Sequence, residues 1–325
     1  MLKEILIGIL ALILIAFSTI LIYLLYQLYP SSPLELYLKE LPSEEPQIID
    51  YGDTPVFMEN LRFNHNNISY FIEPSCLASR RSRMKEAFEI FQSQVEIITF
   101  HEIRTLKSST GITSEEVDIN IGCSEDYIDL GEDIFAAGEG GPSRIINTSD
   151  FKTIEKGKIS LYKESKCEGP IVELHELVHV FGFDHIDNKE SIMYPTAICN
   201  QIITQDIIDL IKTLYSIEPL PDIKIRNISA IKKGAYLDFN ITISNEGLIG
   251  VDKINLTIST KGKEIEVIPL EEMGIGHIRN LQAKNVRLPS RNIDIVKFTI
   301  DKEGVVRELN EENNFGEMAL NQSGN

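Results

Sequence analysis

Positive charge is what this sequence holds least of for its size. Against 49 Asp and Glu stand 31 Lys and Arg, a net charge of -18 over 325 residues. Binding a phosphate backbone needs clustered basic side chains, so nucleic acid is excluded as a partner. The acidic excess reads as a solubility feature. Cysteine is sparse too. None of Cys76, Cys123, Cys167 and Cys199 lies in a C-x-x-C spacing, which removes a thiolate zinc site and a redox pair. No internal repeat is present.

What is there starts with a long apolar run. From Ile5 to Leu28 the chain carries no charge, enough to cross a hydrocarbon core as a helix. The run ends at Tyr26, Gln27, Leu28, Tyr29 and Pro30, an aromatic interfacial edge without the small-x-small exit of a cleaved signal. Residues 1–29 are thus expected to be an uncleaved single-pass membrane anchor. Lys3 precedes the span, whereas Glu35, Glu40, Glu44 and Glu45 outnumber Lys39 beyond it, which puts the N-terminus in the cytoplasm and the bulk outside the membrane. Sequons at Asn67, Asn147, Asn227, Asn240, Asn255 and Asn321 are compatible with export. In such a compartment four distant cysteines read as two disulfides. Three pairings are possible; the expected one is Cys76–Cys123 with Cys167–Cys199, free buried thiols being the alternative.

The length suggests about two folded units at roughly 100–200 residues each. Residues 30–60, rich in Pro, Ser and Glu, read as a juxtamembrane linker. The first unit is expected at 61–217. Residues 68–72 read as a strand and 79–94 as a helix with Met84, Phe88, Phe91 and Val95 on one face. Residues 95–101, 117–121 and 158–162 are β-prone. The acidic stretch 124–133 reads as a solvated loop without the ligand order of a calcium site. Gly138, Gly140 and Gly141 with Pro142 mark a turn. A helix apolar nearly all round, hence buried, begins near Pro170. Another, capped by Thr204, shows Ile207, Ile211 and Leu214 at helical spacing. Beyond Pro219 and Pro221, alternating strands around 237–243, 253–258, 264–268 and 295–300 give a small β-sandwich at 222–318.

The chemistry sits in one window, His175-Glu176-Leu177-Val178-His179-Val180-Phe181-Gly182-Phe183-Asp184-His185. Residues four apart share a helix face, so His175 and His179 can present two imidazoles to one ion, a donor pair that suits zinc. Glu176 is turned about 100° further around the helix. It reaches beside the metal, where a general base for metal-activated water stands. Gly182 accepts the left-handed conformation that ends a helix, and the resulting turn brings His185 back as third ligand. Three protein ligands leave one position for water, the arrangement of a catalytic zinc. Asp184 reads as a solvent-facing turn residue with a ligand-orienting role as the sharper alternative; His65, His101 and His277 read as surface or loop residues.

This window, with Ser191-Ile192-Met193-Tyr194-Pro195 after it, resembles the metzincin metallopeptidases, and the Met-Tyr-Pro ending is closest to the matrixin branch. The resemblance implies an α+β fold, a twisted mixed sheet carrying an active-site helix. It implies a catalytic Zn²⁺ on His175, His179 and His185, Glu176 as base, and Gly182, Met193 and Tyr194 as structural residues, Met193 forming a hydrophobic floor; no matrixin structural-zinc or calcium pattern precedes the motif, so one metal ion is expected. It implies a protein or peptide substrate, paired to an exposed strand that Ala136–Ser143 supplies by position, a glycine-rich turn being the other reading. No cysteine-switch propeptide is visible, and Ile186 after His185 departs from the archaemetzincin branch. Asn245-Glu246-Gly247 and Glu308-Leu309-Asn310-Glu311-Glu312-Asn313-Asn314 resemble CARDB domains, immunoglobulin-like β-sandwiches. They imply a spacer or cell-surface binding role. Against a membrane-anchored zinc endopeptidase stand two other readings: an inert adhesion or scaffold protein that retains its zinc site, and a zinc hydrolase of non-peptide substrates.

Overall fold

The computed structural model describes residues 49–104 (50 and 53 apart), 117–124, 129–131, 134–163 and 165–320, with 14, 16–21 and 23 near the N-terminus. Those N-terminal residues are helical and exposed. The rest of the expected anchor at 1–29 lies outside the described residues. Among the described residues no helix is long and apolar enough to cross a membrane. Two compact units divide the chain, 49–220 with 246–249, and 221–245 with 250–320.

In the first unit, β1 (Leu61–Phe63), β8 (Lys152–Leu161), β4 (Ile119–Cys123), β2 (Asn67–Ile72) and β3 (Thr99–Glu102) form a parallel series. β7 (Gly138–Asn147) joins β8 antiparallel and makes the sheet mixed. A parallel sheet needs crossover connections packed on its face. The crossover between β2 and β3 is α1 (Ala78–Val95), which buries Met84, Ala87, Phe88, Phe91 and Val95 at helical spacing. Phe88 stacks on Tyr70 of β2 and Phe91 on Phe181. Helix α2 (Ile171–Val180) is buried almost all round. Helix α3 (Gln205–Ser216) buries Ile207, Leu210, Ile211 and Leu214. Thr204 stands at its N-cap but makes no side-chain cap bond. The far end is closed by Arg62, fully buried, which donates to the Leu214 and Ile217 carbonyls and lies over the Tyr215 ring. A cation there complements the helix dipole and fills otherwise orphan acceptors.

Three expectations are corrected. The juxtamembrane linker does not extend to 60: Ile49 is in the core, and residues 54–57 are hydrogen-bonded into the first unit. The acidic loop at 124–133 contains β5 (Asp129–Gly131), paired with β6 (Ile134–Phe135). The glycine-rich stretch is no turn but the start of β7, for a packing reason given below. Both disulfides pair as expected. Cys76–Cys123 ties the β2–α1 connection to the end of β4, and Cys167–Cys199 ties the approach to α2 to the segment before α3.

The second unit packs two antiparallel sheets on one core: β13 (Ile278–Arg287), β10 (Tyr236–Asn245) and β9 (Ile223–Lys233), and β12 (Lys263–Leu270), β11 (Ile254–Thr260), β14 (Ile295–Ile300) and β15 (Phe315–Ala319). Phe239 of one sheet meets Phe298 of the other edge-on at 5.1 Å. Asn245 of the first motif piece and Glu308, Asn313 and Asn314 of the second meet in a buried polar network. Glu308 accepts from the Ile223 N–H and from the Asn314 amide. Asn313 donates to Asp222, whose N–H donates to Asn245, and the Asn245 amide reaches the Met273 carbonyl at 3.1 Å. The asparagines of five sequons, Asn67, Asn147, Asn227, Asn240 and Asn255, are exposed; Asn321 lies outside the described residues.

Candidate metal centre

Helix α2 presents His175 and His179 from successive turns, and the chain then reverses. Gly182 has φ +94°, and a Cβ there would stand 2.7 Å from Leu61 Cδ2, so both conformation and space require glycine. The turn returns His185. The three Nε2 atoms converge, with His175 to His179 at 3.0 Å, His175 to His185 at 3.2 Å and His179 to His185 at 3.3 Å.

The outer nitrogens decide what those contacts are. His175 Nδ1 lies 2.5 Å from the Ile192 carbonyl and His179 Nδ1 lies 2.7 Å from the Phe183 carbonyl. A carbonyl only accepts, so each Nδ1 carries the proton and each Nε2 of the neutral ring turns a lone pair inward. Lone pairs facing each other at this distance repel unless a cation lies between them. Nitrogens at about 2.0–2.1 Å from a tetrahedral ion stand about 3.3 Å apart, so the three residues fit zinc. Burial, reinforced by His179, holds His175 down to about 4. Burial likewise lowers His179, against the Phe183 carbonyl. The rings are therefore neutral ligands at physiological pH.

Glu176 is buried beside them. Burial pushes its carboxyl up to about 8, with Glu139 adding to the rise and the Gly140 N–H opposing it. That hydrogen bond comes from β7, which lies directly on α2. A Cβ at Gly138 would meet Glu176 Oε1 at 2.8 Å, and one at Gly140 would meet the Glu176 carbonyl oxygen at 2.1 Å. Side chains are excluded at two alternate positions of one strand face. This is why the glycines are there, and a G-x-G pair at strand period was the signal for it. β7 pairs only with β8 among the described residues, which leaves its other edge as the rim beside Glu176.

The methionine turn backs the site. Met193 is fully buried in the core, its N–H donates to Ser191 Oγ, and its carbonyl accepts from Ile186, next to His185. The Tyr194 N–H closes the turn on the Ser191 carbonyl at 3.1 Å. Asp184 does not reach a ring; its carboxylate accepts from the His185 N–H. His65 contacts Asp118, while His101 and His277 sit at exposed hydrogen bonds elsewhere. Two kinds of partner escaped sequence reasoning. The carbonyls of Phe183 and Ile192 carry no side-chain signature. Phe57, whose ring stacks on His179 at 5.5 Å and 26°, lies 122 residues earlier in the chain.

The fold and site define a class. The matrixin family matches residues 62–216 and the CARDB family matches residues 220–317. The chain thus carries a matrixin domain followed by a CARDB domain. Stromelysin-2 of Rattus norvegicus is 28% identical over 185 residues, which are 53% of this chain and 37% of that protein, so the chain spans little more than a third of its relative. Solved CARDB structures are also similar. One is from a Pyrococcus furiosus protein, crystallised with di-metal ions, at 19% identity and TM-score 0.26 over 31% of this chain and 88% of that one. Another is the 272–376 domain of a Methanosarcina acetivorans protein, at 15% identity and TM-score 0.27 over 32% of this chain and 94% of that one.

Proposed function

We propose that this chain is a zinc endopeptidase that hydrolyses protein or peptide bonds with Glu176 as general base. The observation that carries this reading is the convergence of three imidazoles beside the buried carboxyl group of Glu176. His175, His179 and His185 would hold a single zinc ion, which when bound would supply Lewis-acid chemistry to polarise the scissile carbonyl and acidify a water. The chain's own residues do the rest. The Ile192 and Phe183 carbonyls fix the two helix imidazoles, and such outer partners set ligand orientation. Glu176 accepts the proton from water as its oxygen attacks the carbonyl carbon, then delivers that proton to the leaving amine as the C–N bond breaks. The free edge of β7 offers main-chain partners to an extended substrate, the mode of recognition by strand addition.

The reading extends to location. An anchor at 1–29 with the N-terminus in the cytoplasm places both folded units outside the membrane. Two disulfides support an oxidising compartment. The CARDB domain then stands as a spacer or as the surface that meets a cell-surface partner.

Glu176→Gln tests the chemistry. It is expected to keep the metal and to lower cleavage of a denatured protein by about 10²–10⁴-fold, the usual worth of a positioned acid–base group. Cleavage by the parent chain is expected to stop with a chelator. Full activity of the variant sinks the assignment of Glu176 as base, whereas a metal-loaded parent chain that cleaves nothing favours a non-enzymatic role for the domain.

A further inference from the structure

The segment before β1 reaches the metal centre and holds it. Phe57 donates its N–H to the Gly182 carbonyl at 2.8 Å, and Pro55 accepts from the Asp184 N–H at 3.0 Å. Val56 thereby forms an antiparallel bridge with Phe183. This strap runs along the turn that joins His179 to His185. Phe183, its bridge partner, is buried and supplies the carbonyl that orients His179. At its N-terminal end Thr54 donates to Asp206, in the first turn of α3, at 2.7 Å. The strap is therefore pinned at both ends.

Phe57 sits on it with 46% of its surface exposed. A half-exposed phenyl gains little from burial, yet the strap aims this one at an imidazole. A flat, nearly parallel ring limits rotation of His179 and covers one face of the ligand against water.

We propose that Phe57 is a positioning residue of the metal centre: carried by the strap 54–58, it locks the His179 ring plane and slows release of the ion. The claim rests on reading the three histidines as a metal site, but concerns how the ion is retained, so it does not depend on peptide hydrolysis. It also makes the N-terminal segment part of the site's machinery.

The test is on the full chain, with Phe57→Ala, Phe57→Leu and Phe57→Tyr. Zinc affinity is measured by competition with a chromophoric chelator, zinc release by the rate after excess chelator, and ligand geometry by the visible bands of the cobalt-loaded protein. Phe57→Ala is expected to lose about 10–100-fold in affinity, the usual effect of removing an outer partner of a ligand. Phe57→Leu, which keeps apolar cover but not the ring, is expected to fall between. Phe57→Tyr is expected to stay near the parent chain, and the cobalt bands are expected to shift only in the variants without a ring. The metal-free proteins should unfold at the same temperature. Affinity and bands unchanged in Phe57→Ala overturn the proposal. So does a loss that Phe57→Tyr shares, or one matched by a lower unfolding temperature of the metal-free protein. A parent chain that takes up no ion removes the metal site itself, an outcome the chelator titration of the parent separates from the others.

Discussion

Each unit gathers a cluster of polar side chains, and the two clusters are built on opposite rules. In the second unit donors meet acceptors: Glu308 takes an N–H and an amide, Asn313 gives to Asp222, and the Asp222 N–H gives to Asn245. Every bond in this network pairs a donor with an acceptor, as buried polar groups normally do, although the Asn313 and Asn314 amide oxygens are left without a partner. In the first unit the outer nitrogens of His175 and His179 are satisfied, while the inner ones turn acceptors toward each other at 3.0–3.3 Å. Protein atoms do not complete that cluster. The difference separates a polar cluster that holds a fold together from one arranged to hold something else.

The comparison can be broken by substitution. His185 is exposed and contributes its ring only to the inner triangle. His185→Ala is expected to cost at least about 100-fold in zinc affinity, more than loss of an outer partner. Its metal-free unfolding curve in urea should match that of the parent. Asn314→Ala should behave the other way. It leaves a buried carboxylate short of a donor, an expected loss of about 1–3 kcal/mol, with zinc affinity unchanged. If the two variants behaved alike in both measurements, the distinction would fail.

Acid and base sharpen the contrast further. Burial pushes Glu308 up to about 7, with Glu311 and Asp222 adding to the rise. A carboxyl whose folded pKa is raised favours the fold fully below its ordinary 4.5. That contribution is lost as pH rises through about 7. Glu308→Gln should therefore flatten the decline of the second unit's denaturation midpoint between pH 4.5 and 7. His175 titrates with the opposite sense. Being held low, it favours the fold above the ordinary 6.5, and that contribution is lost as pH falls toward about 4. Zinc occupancy should fall along the same interval, read by equilibrium dialysis at graded pH.

Legibility in the sequence followed the same physics. His175, His179 and the stripe Met84, Phe88, Phe91 and Val95 obey one period along one element, so spacing alone placed them. Strands β10 and β14 alternate cleanly and were equally plain. Strand β9 was not, because a register shift opposite Thr242 and Ile243 changes the phase of its apolar residues from Ile223 and Ile225 to Ile228 and Ala230. β13 is an edge strand with most side chains in solvent, which leaves little alternation to see. β7 was read two ways, as an exposed strand by resemblance and as a turn from its glycines and proline, whose turn meaning is local, whereas their reason here is the closeness of α2. Phe57 was illegible for the same reason. Its partner is set by tertiary contact, which no window of neighbouring residues contains. The CARDB motif residues were noticed as a pattern, but that they hydrogen-bond to one another needed coordinates.

X-ray absorption at the zinc edge, with metal content on the same sample, tests the central claim most directly. The account predicts one zinc per chain with about three nitrogen neighbours at roughly 2.0–2.1 Å, and one neighbour fewer in His185→Ala. A chain that carries no stoichiometric transition metal, or a spectrum unchanged by loss of His185, would contradict it.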